Sequence, residues 1–388
     1  MSQEPSDFQR FVGPDHRKLP RPRGMALVVV FIAIGVAVGL FGLWPGEQPL
    51  LDRSFFGFTD EVISAEVESV DRGPCSYAVE FDCVSVVFAF DTEVRVGTFL
   101  QEFAEETGAP DFVAGDSVYL SVVYGEDGTE SLNYHDRNRG PLLIVVAAGF
   151  GLAVVALGRL RGLAALVGLA ISVFVLIRFI IPAIIDGQDA VLVAVVGGGA
   201  IALVSLYLAH GYTPLTHVAA VGAFAALALT TGLSWLVVGA AELSGLASEE
   251  SFYLLSIPDF DLTGLVLAGI VLGAIGALDD VTVTQASAVW EVGKANPEMS
   301  QRALFESGLR IGRDHIASTV NTLLLAYAGA AMPLLILFSL SDLPLGVVAS
   351  SEVVAVEIVR TLVGSIGLVA AVPITTWLAA AQRVRNTR

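Results

Sequence analysis

Charge is scarce in this chain, and cysteine is scarcer. Only 15% of its 388 residues are charged, against 54% hydrophobic and a mean hydropathy of +0.72. Such a balance excludes an ordinary soluble globular protein and describes a polytopic membrane protein. The two cysteines, Cys75 and Cys83, are too few for a disulfide framework, and a tetrahedral zinc site would want more Cys or His beside them. Catalytic signatures are missing as well. The chain has no H-E-x-x-H, no G-x-S-x-G and no nucleotide-binding loop, so ATP-driven pumping finds no support. No cofactor is expected, and the pattern names no metal.

What charge there is sits unevenly. The formal net charge is −18, but most of the acid lies between Glu47 and Asp136, so the figure describes a segment. That segment, 45–140, has no long apolar run. It shows period-two alternation in "VISAEVESV", "CVSVVFAF", "EVRVGTF" and "SVYLSVVYG", divided by turn clusters such as "DRGP", "AGDS" and "GEDG". About five short strands are predicted, a small barrel or sandwich with the oligonucleotide/oligosaccharide-binding (OB) topology as one option. Its acidity argues against nucleic acid as a partner. Both cysteines fall within it and suit one local disulfide if it lies in an oxidising compartment.

Around it the chain reads as membrane. A basic tail, 1–24, precedes an apolar run, 25–44, that is near spanning length and lacks an A-x-A-like cleavage site, so a retained signal anchor is expected. From 141 to 382 seven more runs follow, near 142–157, 163–181, 191–208, 218–241, 262–278, 316–340 and 362–380. With the anchor they make about eight spans. Threading them from a cytoplasmic N-terminus puts Arg159, Arg161, Lys294, Arg302, Arg310, Arg313 and the tail 383–388 on one side. Asp186, Asp189, Glu242, Asp261 and Asp342 fall on the other, which satisfies the positive-inside rule. The expected fold is therefore an α-helical membrane bundle, both termini cytoplasmic, with a small extracytoplasmic all-β domain between the first and second spans.

Polar residues inside the runs are the candidates for function. After "LTGLVLAGIVLGAIGAL" come Asp279 and Asp280, and Asp280, Thr284, Ser287 and Glu291 share one helical face at i, i+4, i+7 and i+11. Lipid does not tolerate such a stripe. A helix from Leu262 to Val292 would be about 46 Å long, so it must either project from the membrane or break near Asp279. Segment 293–315 reads as a cytoplasmic amphipathic loop lying on the membrane surface. It delivers Arg313 and Asp314 to the next span, where Asp314, Ser318 and Asn321 form a second stripe with Thr322 beside it. The two stripes are expected to face each other as a path or as a lock, for example Arg313 with Asp280. Glu357 and Arg360 are spaced for an intrahelical pair near the outer end of the last span, where Arg360 can snorkel. His210 and His217 read as solvated loop residues.

"GALDDVTVTQASAVWE", "IGRDHIASTVNTLLLAYAGAAMPLL" and "EIVRTLVGSIGLVAAVPIT", with "DRNRGPLL" before the second span, resemble the bacterial YibE/F family of multi-pass membrane proteins. On that family's pattern Asp280, Ser287, Glu291, Arg313, Asp314, Asn321, Glu357 and Arg360 match, whereas Asp279 is less regular. The resemblance implies an integral membrane protein or permease and names no substrate. Three functions follow. The first is a permease for an ion or small polar solute through Asp280, Thr284, Ser287, Asp314 and Asn321. The second is an envelope scaffold or sensor whose β domain binds an extracytoplasmic protein. An intramembrane enzyme stands third: "GALDD" displaces the glycine of the G-x-G-D signature, and "DDVTV" lacks the second aspartate of D-D-x-x-D. No enzyme is expected; the lipid bilayer is the one sure partner, and the oligomeric state is open.

Overall fold

A computed structural model describes residues 23–46, 61–77, 80–107, 110–124, 129–258 and 260–385. Nearly all of the basic tail 1–24, the start of segment 45–140, the turn "GEDG" and the end of the tail 383–388 lie outside them. The chain divides into two units, Leu50–Val154 and Met1–Pro49 with Val155–Arg388.

The first unit is built on five antiparallel strands, β1 (Glu61–Pro74), β2 (Asp82–Asp91), β3 (Val96–Ala104), β4 (Ser117–Tyr124) and β5 (Glu130–Arg137), in the order β3-β2-β1-β4-β5. Alternation selects the inner face: Ile63, Ala65 and Val67 of β1, Val84, Val86 and Phe88 of β2, and Val118, Leu120 and Val122 of β4 are all buried. Phe112 and Tyr134 meet edge to face over that core, ring centroids 5.0 Å apart. The result is a half-barrel. Its edges β3 and β5 share no ladder, but the Gln101 side chain accepts the Tyr134 N–H at 2.7 Å. Cys75 and Cys83 form a disulfide at the β1–β2 connection, Cα atoms 4.9 Å apart.

Carboxylates held by arginine, tyrosine and serine brace this unit. Arg95 pairs with Glu61 and reaches Glu130 at 3.1 Å, while the Tyr124 hydroxyl donates to Glu61 at 3.0 Å. Glu102 accepts the Ser76 hydroxyl at 2.7 Å and its N–H at 3.0 Å, and Arg139 pairs with Asp136 at 2.7 Å. Arg95 and Tyr124 hold Glu61, the Ser76 hydroxyl and N–H hold Glu102, and Arg139 with the Arg137 N–H holds Asp136, all below the usual carboxylate range. A carboxylate whose pKa is depressed by folding contributes stability above its unfolded value, and that contribution is lost as pH falls through the folded value. Intrinsic-rate-corrected amide protection in β1 and β3 should therefore be flat near neutrality and decline below about pH 4. Glu102→Gln should blunt the decline; an unchanged profile would deny the Ser76–Glu102 contact that role.

The second unit is helical: α1 (Arg23–Gly42), α2 (Gly140–Val175, which enters it at Val155), a π-helical turn Leu176–Ile180, α3 (Ile181–Ile185), α4 (Ala190–His210), α5 (Pro214–Ala240), α6 (Glu249–Leu254), α7 (Leu262–Ala295), α8 (Gln301–Ala330), α9 (Met332–Ser339), α10 (Leu345–Ser350) and α11 (Glu352–Arg385). Several starts are capped by the residue preceding the helix. Asp189 accepts Leu192 N at 2.7 Å, Thr213 accepts Thr216 N at 3.1 Å ahead of Pro214, and Asp261 accepts Gly264 N at 2.8 Å. Two of the acids in the positive-free loops are thus N-caps.

Among the described residues six helical stretches are long and apolar enough to cross a membrane, and α8 with α9, bent by 70°, would make a seventh. One of the six, Gly140–Ile185, has 46 residues, about 69 Å of helix. Arg159, at φ 50° and ψ −128°, interrupts it near the middle.

Glycine contacts show how the helices run. Gly39 abuts Val196 and Gly199 abuts Val36, so α1 and α4 are antiparallel; Gly264 beside Ala190 and Gly198 on Ile275 make α4 and α7 parallel. α5 and α11 are antiparallel through reciprocal contacts of Gly222 with Thr375 and Gly367 with Thr230. α7 and α11 run parallel, Gly269 against Arg360 and Gly293 against Arg383, with α8 antiparallel to α7, Gly273 against Tyr327 and Gly308 against Val289. The small-residue faces at Gly197–Gly199 and Gly269–Gly273 are close-packing surfaces.

Two expectations change. Segment 293–315 is not a loop lying apart: 293–295 finish α7, and α8 begins at Gln301 and runs unbroken past 315. Leu304 is buried with Ala286, Val289, Ala379 and Ala380, so this apolar face packs on the bundle rather than on lipid. Nor is His217 solvated. It is 3% exposed, and its Nδ1 lies 2.7 Å from the Tyr207 hydroxyl.

Candidate functional site

α7 is the helix the others surround, packing against α4, α5, α8 and α11. It is continuous for 34 residues, about 51 Å, so no break occurs near Asp279 and "VTVT" is helical. Because four neighbours cover it, only a narrow strip stays open. Gly273, Gly276, Asp280, Thr284 and Glu291 are exposed, with Gly269 and Ser287 half-buried along the same line. Every one is glycine or polar. On α1, by contrast, the exposed residues include Leu27, Val28, Phe31, Ile34, Val38 and Phe41, as a lipid-facing helix requires.

The stripe Asp280, Thr284, Ser287, Glu291 is thus the second half of a longer strip whose first half is glycine. At its far end the Arg360 guanidinium of α11 lies over Gly269, where a Cβ would stand 3.3 Å from Nη2. The Tyr327 hydroxyl of α8 lies over Gly273, and nothing lies within 4 Å of a Cβ at Gly276. Arg360 donates to Glu357, the i, i+3 pair that the spacing suggests, and packs on α7. Asp280 makes no hydrogen bond or ion pair among the described residues. Glu291 sits 3.6 Å from Lys294 in the open. Asp279 turns the other way, its Oδ1 buried without a protein partner.

The second stripe is not brought to face the first. On α8 the inner side carries Gly308 and Gly312, which are buried, and Ile316 and Leu323, which pack on the bundle core. Asp314, Ser318 and Asn321 lie roughly 180–240° round from Gly312 at 100° per residue, and all three are exposed. Arg313 is exposed too and does not pair with Asp280 among the described residues, so the expected lock is absent. Thr322 donates to Ser318 O at 3.0 Å. His315, beside the stripe, has its Nε2 buried without a partner.

A junction on the opposite side of α7 from the polar strip holds these helices together. Gln285, 2% exposed, donates from Nε2 to Gly308 O of α8 at 2.8 Å and to Thr376 Oγ1 of α11 at 2.6 Å. Thr376 passes its own proton to Val372 O at 2.6 Å. Glycine admits the amide: a Cβ at Gly312 would lie 2.8 Å from Gln285 Oε1, and one at Gly308 would lie 2.9 Å from Thr376 Cγ2. Gln285 is absent from the residues that the sequence pattern singles out, yet a signal for it exists, since it stands between Val281 and Val289 at i±4, inside the apolar arc.

No group of three or more His, Cys, Asp or Glu that could hold a metal occurs among the described residues. A small void between α4, α5 and α7 is lined by Ala202, Ala223, Phe224, Leu227, Ile275 and Leu278, with no polar group. The apolar helices, surrounding a central one whose open strip is polar, define a multi-pass helical membrane protein. The profile of a family described as YibE/F-like protein matches residues 146–385, more than half of the chain, and the chain belongs to that family. No curated protein and no solved structure matches it.

Proposed function

We propose that this chain is a non-enzymatic permease for an ion or small polar solute, a singly charged cation by preference, moving along the α7 strip. The observation that carries the reading is that every open position of α7 from Gly273 to Lys294 is glycine or polar, although other helices present aliphatic and aromatic residues. Continuous over about 51 Å, α7 projects from a membrane of about 30 Å at its cytoplasmic end, so Ser287, Glu291 and Lys294 stand in water at the mouth of the path, and lipid is a poor neighbour for the part within the membrane, Gly273, Gly276 and Asp280. Asp280 and Glu291 stand about 16 Å apart along the helix, with Thr284 and Ser287 hydroxyls between them. Separate carboxylates and neutral oxygens suit a weakly held hard cation, and conduction needs weak holding. Arg360, tied to Glu357, and the Tyr327 hydroxyl flank the opposite end. Arg313, Asp314, Asn321 and Thr322 are left outside this path.

In the same reading the protein lies in a bacterial plasma membrane, both termini cytoplasmic and the β unit outside. The break at Arg159 makes two spans of Gly140–Ile185, and α8 with α9 makes one, giving eight. Helix directions support this threading, because α4, α7 and α11 run together and against α1, α5 and α8. The Cys75–Cys83 bond suits an oxidising exterior.

Reconstituted vesicles under an imposed cation or pH gradient test the path. Asp280→Asn should cut flux tenfold or more and Ser287→Ala less, with Phe31→Ala on α1 unaffected; wild-type flux through Asp280→Asn sinks the reading. A second reading, docking of an extracytoplasmic protein on the β unit, draws on Val94, Val96 and Leu100, which are 83%, 77% and 57% exposed in and before β3. Loss of a bound protein on deleting the sheet, with flux retained, would separate the two roles.

A further inference from the structure

We infer that the outward stripe of α8 is the surface on which a second copy of this chain docks. From Arg313 to Val353 no residue is buried, so α8 beyond Gly312 has only one covered side, the one toward α7 and α11. Lipid can cover Leu324 and Leu325, which are 51% and 62% exposed on the far side. It cannot satisfy Asp314, Ser318 and Asn321, and Asn321 lies about 10 Å further along the helix than Asp314, at hydrocarbon depth if Asp314 marks the membrane face. No residue of the protomer pairs with the Arg313 guanidinium, the Asp314 carboxylate or the Asn321 amide among the described residues.

The occupant follows from self-complementarity. A twofold axis along the membrane normal brings together residues of equal depth on two copies of one helix. Arg313 and Asp314 are at nearly equal depth, opposite in sign and about 100° apart round the helix, so with the axis facing the line between them, where Ala317 stands, each reaches its counterpart across the axis reciprocally. An Asn321 amide carries a donor and an acceptor and pairs with its own copy. Ala317 and Ser318 are small enough to let the two backbones close. A second copy carries the matching charges and amide already, at matching depths. The inference is independent of the α7 strip, which stays open within each protomer.

Cysteine crosslinking in membranes of expressing cells tests it without reference to flux. Both native cysteines are bonded to each other, so Asn321→Cys introduces the one free thiol. Mild oxidation should give a species of twice the 40.7 kDa chain mass, at least tenfold above the yield from Phe31→Cys, a lipid-facing position that is 70% exposed. Asp314→Arg and Arg313→Asp should each depress that yield several-fold in the Asn321→Cys background, and the double swap should restore it. Yield no higher than at Phe31→Cys, a product whose mass is not twice the chain's, or a double swap that fails to rescue while the protein purifies monodisperse, would each overturn the inference.

Discussion

Replacing Gly312 with valine should remove most of the folded protein, whereas Gly276→Ala should leave yield and melting temperature unchanged or slightly raised. A Cβ at Gly312 would lie 2.4 Å from Val372 Cγ1 and 2.8 Å from Gln285 Oε1, and neither neighbour can yield. Val372 is fully buried with a stiff χ1, and Gln285 is held by two hydrogen bonds. α8 must therefore back away. Overpacking alone costs about 1–3 kcal/mol for one methyl, more for valine, and breaking the Gln285 hydrogen bonds as α8 retreats adds about 1–3 kcal/mol. Against a total stability of about 5–15 kcal/mol that is a large share. At Gly276 an added methyl meets nothing within 4 Å and gains helix propensity of up to ~1 kcal/mol. Fluorescence of the four tryptophans, Trp290 on α7 among them, follows melting of the detergent-solubilised protein; equal midpoints for Gly312→Ala and Gly276→Ala would contradict the packing.

Patterns of covered and uncovered residues were legible in the sequence; what does the covering was not. Alternation around Val62–Val67 and Val84–Phe88 marked a half-buried sheet, because a strand's period of two is read directly. Leu304, Phe305 and Leu309 marked an amphipathic helix equally well, but a membrane surface and a helical bundle ask for the same stripe, and the structure selects the bundle. α7 misled for a related reason. A helix enclosed by four neighbours has a wide covered arc, so its most polar line, Asp280 to Glu291, is the open side, and the consequential interior group is one polar residue among apolar ones. Gln285 between Val281 and Val289 was that residue. His217 likewise looked exposed beside Pro214 and Thr213, yet those two residues start α5, which folds the ring under Tyr207. Orientation was harder still: the α8 stripe was visible, but only the positions of Gly308 and Gly312 show that it points away from α7.

Gln285→Glu should destabilise the α7–α8–α11 junction more than Gln285→Leu does, although the glutamate is the closer match in shape. The amide donates twice, to Gly308 O and to Thr376 Oγ1, and Thr376 already spends its proton on Val372 O. A carboxylate there would face the Gly308 carbonyl with no proton between them, and would find a donor in Thr376 only by drawing its hydroxyl away from Val372 O, in a site 2% exposed. Burying an unpaired charge costs about 3–5 kcal/mol. Leucine loses the bonds but brings no charge, and Gly308 O keeps its place at the end of a helical turn, so about 1–2 kcal/mol is expected. The two variants also differ in pH response. Acidification protonates the glutamate and returns one donor, so Gln285→Glu should recover part of its deficit at low pH while Gln285→Leu stays constant. Melting curves at several pH values distinguish them. A glutamate no worse than leucine at neutral pH would mean that water reaches Gln285, and the junction would then belong to the polar path rather than to the packing that supports it.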